Sequence, residues 1–146
     1  MIIENKELLI PFIENNQNIP KKFIISDEKY YCPRKNIIKE KIYPKFLAAL
    51  QHMNLLNTSD KWNCNEMCDA FRFFAKVYFK NETSENLAKS IAVGIVFYKY
   101  KNGGHARNII YLNRKNTMEA MLFEPQNGKF YKLRKERLDS IFAIYI

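Results

Sequence analysis

The hydrophobic period of this chain changes once, near residue 90, and that change limits the folds open to it. Before it, apolar residues recur at helical spacing. Ile37, Ile38, Ile42, Phe46, Leu47, Leu50, Met53 and Leu55 mark one helical face over Asn36 to Leu56. Pro44 interrupts the run and predicts the start of a second helix, since proline fits a first turn but costs about 3 kcal/mol in a helix interior. Cys68 to Phe79 predicts the next helix, with Phe71, Phe74, Ala75 and Tyr78 on one face and Asn81 as its stop. Thr83, Asn86 and Leu87 suggest one further helical turn. After residue 90 the period is that of strands. Ile91 to Tyr100, His105 to Asn113, Glu119 to Glu124, Phe130 to Leu133 and Ile141 to Ile146 are rich in Ile, Val, Tyr and Phe. Asn102-Gly103-Gly104 and Gln126-Asn127-Gly128 predict hairpin turns, and Arg134 to Asp139 one helical turn. Helices first and an antiparallel sheet second define an α+β domain.

The earlier part is less regular. Residues 1 to 13 alternate weakly and predict a strand ending before Pro11. Residues 14 to 35 read as irregular, with Asn15, Asn16, Asn18, Pro20 and Pro33 as breakers, and 57 to 60 as a loop.

At 146 residues the expectation is one domain, 1–146, with a divergent helical part over 1–60 and the chemistry-bearing motifs and sheet over 61–146. Apolar residues at 47% exclude a disordered chain. No apolar run reaches membrane-spanning length. Met1-Ile2-Ile3-Glu4-Asn5-Lys6-Glu7 carries acids where a signal peptide carries bases, so a cytoplasmic protein is expected. Cys32, Cys64 and Cys68 are an odd set, which argues against a disulfide framework. Their spacing, with His52, fits no common zinc pattern, so neither metal nor cofactor is expected. His52, on an apolar helix face beside Met53, reads as packing.

The net charge is +9. Lys21 to Lys45 and Lys129 to Arg137 supply much of it. A solvated lysine-rich surface accounts for this better than a nucleic-acid footprint, because no nucleic-acid-binding motif accompanies the charge.

Three residues carry the chemistry. His105 follows Gly103-Gly104 at the start of a strand, Glu124 ends a later strand, and Cys68 opens a helix-like run. A thiol attacks only as thiolate, and a helix N-terminus stabilises that anion. An imidazole would take the thiol proton, and a carboxylate on its far nitrogen would fix the tautomer. Pairing of the two strands through the loop around Arg114 to Thr117 would bring His105 and Glu124 to one end of the sheet. Cys64 is the competing nucleophile. Cys68 is preferred because Asp69-Ala70-Phe71 follow it and because Cys64 lies ahead of the predicted helix.

Cys68-Asp69-Ala70-Phe71, Gly104-His105-Ala106 with Asn108, and Glu124-Pro125-Gln126 with Gly128 resemble the motifs of papain-like cysteine peptidases, and among them the C-terminal peptidase domain of Marasmius oreades agglutinin. The likeness covers roughly residues 62 to 131. It implies a papain-like core with Cys68 as nucleophile, His105 as general base and Glu124 as orienting acid. Transglutaminase-like proteins share the order of the three but usually end on Asp. The oxyanion hole departs from the family, since no glutamine precedes the cysteine at the usual place. Asn63 and Asn65 are the candidates for that role, while Trp62 and Gln126 are candidates for substrate contact. The peptidase domain of the agglutinin depends on calcium, and no acidic cluster in this sequence is assigned to that ion.

The resulting expectation is a hydrolase that cleaves a peptide or isopeptide bond through a thioester, acting on a protein substrate with a slight bias toward acidic ones. Two alternatives stand beside it. One is acyl transfer to an amine on the same triad. The other is a non-catalytic binding or inhibitory protein on the same fold.

Overall fold

The computed structural model describes residues 1–14, 20, 22–57, 62–82, 90–100, 103–133 and 140–146. The turns predicted at Asn102, at Thr83 to Leu87 and over Arg134 to Asp139 lie outside them, as does most of the 57–60 loop.

The fold is α+β, in three layers. Its centre is a six-stranded sheet in the order β2-β9-β5-β6-β7-β8. These strands are β2 (Lys22–Ile24), β5 (Val93–Tyr100), β6 (Gly103–Arg114), β7 (Thr117–Glu124), β8 (Lys129–Lys132) and β9 (Ile141–Tyr145). One face is covered by helices α2 (Tyr43–His52) and α3 (Cys64–Glu82). The other is covered by the N-terminal segment: β1 (Ile2–Glu4), a 3₁₀ turn at Asn5–Leu9, the short α1 (Ile10–Ile13) and β3 (Lys29–Tyr31). β1 and β3 form a smaller sheet with β4 (Ser90–Ile91).

Strand alternation assigns each β6 residue to one layer. Ile110 and Leu112 pack with Phe46, Leu50, Phe71 and Ala75 on the helical side. Ile109 and Tyr111 pack with Ile3, Leu8, Phe12 and Tyr30 on the other. A strand buried on both faces reads as the continuous apolar run Ile109-Ile110-Tyr111-Leu112. The β6–β7 hairpin closes with Arg114 opposite Thr117, and its two turn residues, Lys115 and Asn116, both have positive φ.

The sheet is not wholly antiparallel. β2 joins β9 in parallel, and β3 joins β4 in parallel. β2 and β3 fall in the region that reads as irregular. They form because distant partners supply the hydrogen bonds, which local sequence does not register. The N-terminal strand is also shorter than expected. Glu4 and Glu7 form a capping box, the Glu4 amide donating to Glu7 Oε2 at 2.6 Å, and the chain turns helical there. Pro11 then sits in the first turn of α1.

Pro44 does not break its helix. A π-helical stretch, Ile37–Ile42, leads directly into α2 with Pro44 in the first turn. The missing proline amide falls where the hydrogen-bond register changes. Ile38, Ile42, Phe46 and Leu50 face the core at every fourth residue. His52 ends α2 exposed to solvent rather than packed.

α3 differs most from expectation. It starts at Cys64, not Cys68, and runs past Asn81 to Glu82. Asn63 caps it: its Oδ1 accepts from the Asn65 amide at 2.8 Å, while Glu66 Oε2 accepts from the Asn63 amide at 3.0 Å. An Asn cap with Glu three residues on is a complete helix start, and it moves the N-terminus one turn upstream. Among the described residues no helix is long and apolar enough to cross a membrane.

Candidate functional site

His105 and Glu124 meet. β7 pairs antiparallel with β6, Asn108 lying opposite Phe123, and this brings the two residues to the same end of the sheet. His105 Nε2 is 3.3 Å from Glu124 Oε2. Burial alone would raise the Glu124 carboxyl, but bonds from His105 and Arg107 more than reverse this and hold it below the usual carboxylate range. An ionised carboxylate only accepts, so the hydrogen of this contact is on His105 Nε2.

The turn after Glu124 fixes the carboxylate's backbone. The Gly128 amide donates to the Glu124 carbonyl at 2.8 Å. Gly128 has φ +67°, and a Cβ there would stand 2.5 Å from the Tyr43 ring. Tyr43 packs edge-on to Phe123 with ring centroids 5.4 Å apart. Glycine at this position therefore permits both the left-handed turn and the ring above it. Gln126 is exposed on the same turn.

Arg107 joins the pair. Its Nε donates to the same Glu124 oxygen at 2.9 Å, and its guanidinium lies 4.3 Å from the centre of the Tyr131 ring. Nothing in composition singles Arg107 out. The available signal is alternation, which places residue 107 on the same strand face as residue 105.

The cysteines are arranged differently. Cys68 is fully buried with Ile95 and Ala106 between α3 and the sheet. Desolvation first, then the nearby Glu124 and Cys64, push its thiol far above the ordinary value. Its backbone carbonyl accepts from Asn108 Nδ2 at 2.8 Å, and the same nitrogen donates to the Gly94 carbonyl at 3.1 Å. Asn108 is thus the tie between helix and sheet. His105, by contrast, is opposite Tyr98, and Arg107 opposite Val96; both partners belong to the core on the other face of the sheet. The His105 ring is edge-on to Tyr98 with centroids 5.4 Å apart. Cys68 and the His105–Glu124 pair therefore face opposite ways from β6.

Cys64 is the first residue of α3 and is only half-buried. It packs against the cluster of Cys68, Ile95 and Ala106, and so lies with Cys68 on the face of β6 away from the His105 ring. Its Sγ is 3.6 Å from Asn65 Oδ1. The amides of a helix's first turn have no intrahelical acceptor, and they surround this position rather than that of Cys68. Cys32, buried on the far side, has its thiol pushed up to about 12 by desolvation. All three cysteines are free thiols.

Of the remaining candidates, Asn63 serves as the helix cap, Asn65 is exposed on the first turn, and Trp62 packs half-buried against the helical core. A cavity of about 480 Å³ opens beside α3, lined by Asn65, Glu66, Asp69 and Arg72 and floored by Phe97, Phe142 and Tyr145. Cys64, Cys68, His105 and Glu124 do not line it. Among the described residues no three His, Cys, Asp or Glu side chains gather to hold a metal ion.

The fold has solved counterparts. A structure described as a PSL1a–E64 complex superimposes with a TM-score of 0.74 at 16% identity, over 99% of this chain and 51% of that one. Polyporus squamosus lectin, bound to the epitope Neu5Aca2-6Galb1-4GlcNAc, superimposes with a TM-score of 0.67 at 17% identity, over 99% of this chain and 49% of that one. This chain has the fold of one half of a lectin polypeptide. It spans about half the length of the structures it matches. No protein-family model matches the chain, and no curated protein matches it in sequence.

Proposed function

We propose that the chain is a thiol hydrolase in which Cys64, rather than Cys68, is the nucleophile; the His105–Glu124 pair stands on the other face of β6 and takes no proton from it. The observation that carries this reading is the position of Cys64: half-buried, at the first residue of a capped helix. A thiolate there gains from the helix dipole and from first-turn amides. Cys68 has neither advantage, and its burial keeps the thiol protonated. One of the similar structures is described as a complex with E64.

In the proposed reaction Cys64 loses its proton to water at the helix start, and its sulfur attacks the carbonyl carbon of a peptide or isopeptide bond. The C–N bond breaks and the amine leaves with a proton from water. Water then cleaves the thioester and restores the thiol. An amine in place of water would make the protein an acyl transferase, and release of a labelled amide against incorporation of a labelled amine separates the two.

E64 and iodoacetamide at pH 6, read by mass spectrometry, test the reading. One adduct on Cys64 is expected, formed at least tenfold faster than on a small-molecule thiol and absent in Cys64→Ala. Alkylation of Cys64 at the rate of a small-molecule thiol would overturn it.

A second reading is a non-catalytic binding protein. The lectins that share the fold favour it, as does a groove whose lining of amide, acid, arginine and aromatic side chains excludes the cysteines and His105. It expects glycan-array or peptide binding that is unchanged in Cys64→Ala and weakened in Arg72→Ala.

A further inference from the structure

We infer that the groove beside α3 docks an acidic stretch of peptide, taking its carboxylate side chain on Arg72 and an apolar neighbour on Phe97, Phe142 and Tyr145. The inference rests on the binding reading above, whose groove it uses, and does not need Cys64 to react. α3 packs over β5 and β6, and β9 lies beyond β5 in the sheet. The helical face of the sheet is therefore left open where Phe97 and Tyr145 stand. The groove there holds about 480 Å³, within the size of ordinary ligand pockets. Asn65, which follows Cys64, stands on its rim, and Phe97 packs on the same cluster of Cys68, Ile95 and Ala106 as Cys64 does, so groove and thiol share one floor.

Arg72 selects the ligand. Its Nε is buried and has no hydrogen-bond partner among the described residues. Its Nη1 stands 3.6 Å from Asp69 Oδ1, too far for a hydrogen bond, and Asp69 is itself largely in water. A buried guanidinium N–H left unpaired costs free energy, and a carboxylate is the partner that matches its fork and its charge. Lys76, one turn further along the same flank, adds a second cation. Its Nζ reaches only a neutral group among the described residues, Ser26 Oγ at 3.4 Å. Burial and then Arg72 lower its ammonium pKa, with Asp27 offsetting part of this, so it too gains from an incoming anion. Of the two acids in the lining, Glu66 is engaged in the helix cap and Asp69 is exposed. The floor argues for a peptide rather than a sugar. Phe97 meets Tyr145 edge-on, with centroids 5.8 Å apart, and lies 6.3 Å from Phe142, which is 46% exposed. Rings set at angles make a concave apolar seat for a side chain, whereas a sugar ring stacks on one flat face.

Fluorescence anisotropy with two labelled hexapeptides, identical but for glutamate against glutamine beside a leucine, tests this. Wild type is expected to bind the glutamate peptide about tenfold more tightly than the glutamine peptide. Arg72→Gln should abolish that preference and Arg72→Lys keep part of it. Asp69→Asn, which removes the competing acid, should tighten the glutamate peptide about twofold. Phe142→Ala should weaken both peptides alike. Circular dichroism checks folding, and the peptide pair with Asp69→Asn keeps the test open if Arg72→Gln does not fold. Equal affinity for the two peptides, or a glutamate preference that survives in folded Arg72→Gln, would overturn the inference. Equal affinities that Phe142→Ala lowers would still leave the groove a binding site. Glucuronate bound through Arg72 with neither peptide bound would also overturn it, in favour of an acidic sugar. No binding of any probe would remove the inference and the binding reading together, and leave the hydrolase reading to the alkylation test.

Discussion

Cys64 and Cys68 lie one turn apart on α3 and occupy two different chemical environments. Cys64 is at the helix start, half in water, where unpaired amides favour negative charge. Cys68 is in the second turn, sealed against Ile95 and Ala106, where desolvation outweighs the charge of Arg107 and disfavours an ionised sulfur. One turn of helix is about 5.4 Å. That distance separates a position suited to a nucleophile from one suited to a small apolar side chain. The lesson concerns helix caps. Where the N-terminus falls decides which thiol has chemistry, and a two-residue device, Asn63 with Glu66, sets the N-terminus.

The contrast can be broken most sharply by exchange. Cys64→Ala should lower any thioester-dependent turnover by on the order of 10⁴-fold, as loss of a nucleophile does in other hydrolases, while Cys68→Ala should leave turnover nearly unchanged. The reverse pattern, measured on the same labelled substrate, would return the role to Cys68.

Asn108→Leu comes next. It deletes the donor to the Cys68 and Gly94 carbonyls and strands both in an apolar setting. A loss of about 2–4 kcal/mol in urea unfolding is expected. A loss below 1 kcal/mol would show that packing alone fixes α3 on the sheet.

Glu124→Gln probes the charged face. The folded carboxyl is held below its ordinary value, so its contribution is complete above the ordinary carboxylate range and is lost as pH falls through the lower folded value. The wild-type melting temperature should therefore drop on the acid side of about pH 4.3, and Glu124→Gln should flatten that limb. Parallel limbs in both proteins would assign acid sensitivity to other groups.

The smallest effect expected is that of Asn63→Ala, about 1 kcal/mol from loss of the cap. It sharpens the comparison because it should also slow Cys64 alkylation while leaving Cys68 inaccessible in the folded protein. Unchanged alkylation would separate Cys64 reactivity from the helix terminus.

How much of this was legible in the sequence can be judged element by element. The long strands were, because β5 and the middle of β6 are rich in β-branched and aromatic residues, β7 ends on the apolar run Met121-Leu122-Phe123, and all three are bounded by turns. The hairpin register was legible too: once Arg114 to Thr117 is taken as the turn, His105 and Glu124 must come to one end. β2 and β3 were not, since β3 depends on β4, sixty residues away, and β2 on β9, more than a hundred residues away. The start of α3 was legible in principle. Asn63-Cys64-Asn65-Glu66 is a capping pattern, but Asp69-Ala70-Phe71 drew the helix start one turn too far downstream.

The sequence by itself determined the order of helices and sheet, the two hairpins that frame the His105 strand, and the small set of residues able to carry acid–base or thiol chemistry, because these follow from periodicity and residue type. Tertiary structure alone decided their environments. It buried Cys68 and left Cys64 half in water, and it placed Arg107 on the carboxylate that His105 also reaches. It also set the face of the sheet on which each group stands. Burial and charge pairing depend on what packs from elsewhere in the chain, and no local pattern at residues 64, 68 or 107 records that.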